Sequence, residues 1–113
     1  MIDVGVARFS DPGICSVIVQ GHGGDGGDID GSRVCAGVSA LVYALAAAVK
    51  NFRPQETTNV TLREGFAWLD WAMTKPDREP GGVLDVFCMG VEQIRMSHPD
   101  RITITRTDDL ASK

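Results

Sequence analysis

The 113-residue chain reads as one α+β domain, with element order β-β-α-β-β-α-β and a mostly antiparallel sheet against two helices. Three observations predict this. Short segments rich in β-branched and aromatic residues recur between turn signals. Two longer segments instead space their apolar residues at helical intervals. No repeat or low-complexity linker divides the chain, and its length supports a single core. Residues 1–107 are assigned to the domain and 108–113 to a frayed tail.

Ile2–Phe9 and Ile14–Gln20 are β-rich runs separated by "SDPG", where Pro fixes one dihedral and Gly relaxes another, so they form a hairpin. A glycine-rich loop follows, Gly21 to Gly31. Ser32 is placed as the N-cap of the first helix, its hydroxyl accepting from a first-turn amide. From Val34 the stripe Val38, Leu41, Val42, Leu45, Val49 and Phe52 continues the helix until Arg53–Pro54 ends it. Thr57–Leu62 and Phe66–Met73 form a second β pair joined at "REG". Trp68 and Trp71 fall on opposite faces of their strand, so at least one is partly exposed. "TKPDREPGG" is a solvated loop. The second helix starts near Gly82, carries Val83, Phe87, Val91 and Ile94 on one face, and finishes at "SHPD" with help from His98. "RITITRT" alternates and makes the last strand.

Composition narrows the function. The net charge is −4 with Lys and Arg scattered, which argues against nucleic acid as a partner because that binding needs a basic patch. The most apolar segment, Val34–Val49, is short and flanked by Arg33 and Lys50, so it is expected as a buried amphipathic helix rather than a membrane span. "MIDVGVARFS" has no signal-peptide pattern, and a cytoplasmic location is expected. Three widely spaced cysteines, no CxxC and two histidines suit neither a disulfide framework nor a structural zinc site. No metal or other cofactor is expected.

The chemistry concentrates in "QGHGGDGGDIDGSRVCAGVSAL", Gln20 to Leu41. With Ser32 as cap, Cys35 is the third residue of the helix, where the positive end of the helix dipole and Arg33 both favour a thiolate. The same residue also lies on the apolar stripe and can be read as core. His22, between Gly21 and Gly23, can fold over the loop as a base for Cys35, or remain an exposed loop histidine. Gly23, Gly24, Gly26 and Gly27 suit a mobile flap, with Gly31 closing the loop. "GGDGGD" begins a calcium-binding nonapeptide, but Asp30 sits where an apolar residue is needed and no second copy follows. An EF-hand fails because Ala36 replaces the closing Glu, and a phosphate loop fails for want of GK[ST]. Cys15 and Cys88 read as packing residues.

"GH", a short glycine loop and "VCAGVSAL" (Val34–Leu41) resemble the ribosomal-processing cysteine protease (Prp) family of bacteria. The later "GGVLDVFCMGVEQIRMSHPDRITI" is similar to that family's second helix and last strand, so the resemblance covers nearly the whole chain in element order. It implies Cys35 as nucleophile, His22 as general base, the glycine loop as the flap admitting substrate, and a homodimer. It further implies removal of an apolar, aromatic-rich N-terminal extension from a large-subunit ribosomal protein, or processing of capsid or scaffold proteins in phage-borne relatives. The chain departs from the pattern at three positions. The family's Asp three residues before the cysteine is Ser32, the Ala after "GH" is Gly23, and the usual Ile is Arg33. Ser32 can cap a helix but cannot stabilise an imidazolium, so Asp30 or Asp28 is the candidate substitute. Two functions follow: a cysteine endopeptidase, or a non-catalytic dimeric binding or assembly module that kept the fold.

Overall fold

Alternation along the strands sets the architecture. In the computed structural model, which describes residues 1–11, 13–22, 28–52, 57–74 and 82–108, strand β1 (Ile2–Phe9) turns Ile2, Val4, Val6 and Arg8 inward. Strand β2 (Ile14–Gly21) turns Cys15, Val17 and Val19 the same way. Helix α1 (Ile29–Phe52) follows, then strands β3 (Thr57–Arg63) and β4 (Phe66–Ala72), helix α2 (Val83–Ser97) and strand β5 (Ile102–Asp108). The order is the expected β-β-α-β-β-α-β, and the fold is α+β.

The strands lie in the order β3-β4-β2-β1-β5. Every pairing is antiparallel except the last, where the chain's final strand joins its first in parallel, Ile2 opposite Ile102. The core is the layer between this sheet and the helices. Val34, Val38, Val42, Leu45, Ala46 and Val49 of α1 and Leu84, Phe87 and Val91 of α2 meet Leu69, Trp71, Val17 and Ile102 there. The two helices approach closely through glycine: a Cβ on Gly90 would lie 2.8 Å from Cδ2 of Leu41, and one on Gly37 3.0 Å from Cδ1 of Ile94. Trp71 is fully buried while Trp68 is 39% exposed, as opposite faces of β4 require.

Several boundaries differ from the expected ones. Helix α1 begins at Ile29 rather than Ser32, and β3 runs on to Arg63. Leu84, absent from the expected face of α2, is one of its buried residues. Asp108, expected in the tail, closes β5 because its carboxylate pairs with Arg8 beneath the sheet. By length and composition α1 could cross a membrane, yet a third of that span is buried here as the domain's core helix. Arg53–Pro54, the segment 75–81 and residues 109–113 lie outside the described residues.

Candidate active site

The start of α1 is built by Asp28, not Ser32. The Asp28 carbonyl accepts the Ser32 N–H at 2.9 Å, and its side-chain Oδ1 accepts the Gly31 N–H at 3.1 Å. That is the bonding of an N-cap residue. Ser32 therefore lies inside the helix, exposed, and the expectation that it caps is corrected. The reason is local: Asp28 caps as well as serine does, and it is additionally held by Arg101, whose Nη1 lies 2.5 Å from its Oδ2. The Gly31 N–H and the Arg101 guanidinium together hold the Asp28 carboxyl below the usual aspartate range.

Two consequences reach the chemistry. Cys35 becomes the seventh residue of α1, a turn beyond the strongest part of the helix dipole, so the dipole contributes less to a thiolate than expected. Both oxygens of Asp28 are also engaged, which removes it as a partner for the histidine. Asp30 is exposed in the first turn of α1, and among the described residues no carboxylate is hydrogen-bonded to the His22 ring.

His22 follows directly on β2 and is anchored at its backbone. Its carbonyl accepts the Met1 amino group at 2.7 Å, and the preceding Gly21 donates its N–H to the Gly65 carbonyl at 2.9 Å. Gly21 has φ +101°, and a Cβ there would strike the Met1 carbonyl oxygen at 2.2 Å, so only glycine fits. The imidazole packs on the tight β3–β4 turn. A Cβ on Gly65, whose φ is +71°, would lie 2.8 Å from its Nε2.

His22 and Cys35 line the same cleft, of about 500 Å³. One wall is α1, with Cys35, Ser39 and Tyr43 at successive turns; the other is the β3–β4 turn, with Leu62, Arg63, Glu64 and Phe66. Its floor is the apolar end of the sheet, including Ile2 and Val19. The Arg63 guanidinium lies over the Phe66 ring, 4.7 Å from its centroid. A thiol and an imidazole that line one apolar-floored cleft are the groups a nucleophilic attack on a peptide carbonyl requires. Cys15 is buried and Cys88 is half-buried, with burial pushing its thiol up, so neither competes. Among the described residues no group of three His, Cys, Asp or Glu could hold a metal ion. The flap glycines Gly23, Gly24, Gly26 and Gly27 lie outside the described residues.

Sequence reasoning brought Cys35, His22 and Gly21 to the site but missed its far wall. Ser39 and Tyr43 were readable in principle, being four and eight residues beyond Cys35 on one helix. The β3–β4 turn was not, because its place depends on β4 pairing with β2.

The sequence profile of the family described as cysteine protease Prp matches residues 1–103. The chain belongs to that family. As a Prp-family cysteine protease it also shares the fold of solved relatives. The essential ribosomal processing protease Prp of S. aureus, in complex with a substrate peptide, superposes with a TM-score of 0.72 at 18% identity, over 95% of this chain and all (100%) of that one. The same enzyme with a covalently linked product peptide gives 0.72 at 19% identity, over 95% of this chain and 100% of that one. SMU.848 from Streptococcus mutans gives 0.73 at 21% identity, over 96% of each chain. No curated protein matches the chain.

Proposed function

We propose that this Prp-family protease cuts the N-terminal extension from a large-subunit ribosomal protein, using Cys35 as nucleophile and His22 as general base. The observation that carries the reading is the shared cleft: the two residues singled out by type and spacing line one groove. His22 takes the thiol proton, the sulfur attacks the scissile carbonyl carbon, and the protonated imidazole passes the proton to the departing amine as the C–N bond breaks. Water then hydrolyses the thioester and regenerates the thiol. The Gly31 and Ser32 amides at the start of α1 are taken by Asp28, so they are not the oxyanion donors of this reading. The Ser39 hydroxyl is a donor of this reading, one turn beyond Cys35 on the same cleft wall, at about 6 Å between Cβ atoms.

The substrate lies extended between α1 and β3, with an apolar or aromatic side chain on the floor formed by Ile2, Val19, Val38 and Val42. Binding of a substrate peptide by the S. aureus relative supports this class of ligand. Activity is assigned to the cytoplasm, where three cysteines outside any disulfide are at home, and to a homodimer, for which the exposed Val86, Met89 and Met96 of α2 offer apolar surface.

The test is mass spectrometry of the protein incubated with N-terminally extended ribosomal-protein peptides, alongside Cys35→Ala. Cleavage that disappears in the variant supports the reading. A Cys35 that still alkylates rapidly while every ribosomal peptide survives moves the substrate to a capsid or scaffold protein. An inert Cys35 and intact peptides would overturn the assignment of this pair.

A further inference from the structure

In the sequence, residues 23–27 lie between the base and the helix that carries the nucleophile, and the described residues on either side of them are moored at one place. On the first side Gly21 pairs with Ile2 across β1 and β2, and Ile2 donates its N–H to the Arg101 carbonyl at 2.8 Å. On the second side the Arg101 guanidinium holds the Asp28 carboxylate at 2.5 Å, while the other oxygen of that carboxylate caps α1 through Gly31. The backbone of Arg101 is itself fixed by its turn, its N–H donating to the His98 carbonyl at 3.1 Å. One residue thus holds the start of α1 with its side chain and the start of β1 with its carbonyl.

We propose that Arg101 is a positioning residue for the Cys35–His22 pair, its ion pair with Asp28 setting α1 against the end of β2 from which His22 projects. The proposal rests on the reading of Cys35 and His22 as nucleophile and base. Arg101 is not among the residues lining the cleft, so its side chain acts on the pair at a distance, through Asp28. The two side chains are 24% and 31% exposed, so the pair contributes little to global stability. Its effect falls on geometry, where a displacement of an ångström between reacting groups is costly. Asp30 and Asp100 also face Arg101 electrostatically, while Asp28 both contacts it and caps the helix.

The experiment needs no substrate. Iodoacetamide alkylation of Cys35 near pH 6, located by peptide mapping, is timed in the full chain and in Arg101→Gln, Arg101→Lys, Asp28→Asn and the double variant Arg101→Gln/Asp28→Asn. His22→Ala is the control. Asp28→Asn keeps the capping oxygen and removes only the charge. Expected is a slowing of about fivefold in each neutral single variant, with melting temperatures nearly unchanged. The double variant should be no slower than either single one, because both remove one interaction. Arg101→Lys should regain at least half of the lost rate, since a single charged contact suffices. Arg101→Gln reacting at the wild-type rate, or additive losses in the double variant, would overturn the proposal provided His22→Ala is slow. If His22→Ala itself alkylates at the wild-type rate, the Cys35–His22 reading fails instead.

Discussion

A methyl group added at Gly65 would lie 2.8 Å from Nε2 of His22 and would also force a side chain onto a backbone at φ +71°. The turn gives little, because Gly65 also accepts the Gly21 N–H, so the imidazole has to move. Gly65→Ala is therefore expected to lower kcat by about tenfold or more while costing only about 1 kcal/mol of stability. Activity measured well below a separately recorded melting temperature distinguishes this from unfolding, and an unimpaired kcat would remove the turn from the base's support. The three thiols offer a second check at this scale. Cys35 opens on the cleft, Cys15 is buried, and burial holds the Cys88 thiol above its ordinary range. Near pH 6 a limiting alkylating agent should label Cys35 first, with Cys15 and Cys88 following only on unfolding. Equal labelling of all three in the folded protein would contradict the assignment of roles.

The start of α1 shows what an element owes to residues outside it. Its helical stripe was legible in the sequence, since period and length leave little choice for Val34 to Val49. Its first residue was not, because Ser32 and Asp28 are both good caps and the sequence does not place Arg101 beside one of them. That His22 and Cys35 merit attention was legible for a similar reason, as glycine-flanked histidine and helix-borne cysteine are features of local spacing, and the structure brings both to one cleft. The far wall of the cleft, Leu62 to Phe66, depends on the pairing of β2 with β4 and on nothing nearby in the chain. The cap carries its own pH dependence. The Asp28 carboxyl titrates below its unfolded value, so its contribution is complete above that ordinary value, about 3.9, and is lost as pH falls through the lower folded value. Asp28→Asn should thus flatten the acid end of the stability–pH curve by a small amount and leave the midpoint near neutrality close to the wild-type value. Urea midpoints from pH 6 down to pH 2 would show this, and curves for the two proteins that stay parallel throughout would contradict it.

At the scale of the whole molecule the sheet gains its edge strand by the parallel pairing of β1 with β5. Its far end is locked by Arg8 and Asp108, an ion pair between β1 and β5 whose side chains are almost wholly inside. Arg106 stands 3.4 Å from the same Asp108 oxygen and also pairs with Asp85 at the start of α2, so the lock extends to the helix. The lock sits six residues along β1 from the cleft residue Ile2, about 20 Å away, which separates folding from chemistry. Removing one partner of a buried pair leaves the other uncompensated, at about 3–5 kcal/mol. Arg106 shields Asp108 in part, so Arg8→Met belongs at the lower end, about 3 kcal/mol and roughly 10 °C or more in Tm. Replacing both partners with apolar residues, Arg8→Met with Asp108→Leu, should recover most of that loss, because no unpaired charge then remains inside. Both variants should keep the wild-type kcat at temperatures where they are folded. A single variant as stable as wild type would mean that the pair does not hold β5 to β1, and a lost kcat in the folded double variant would mean that the two ends of β1 are coupled.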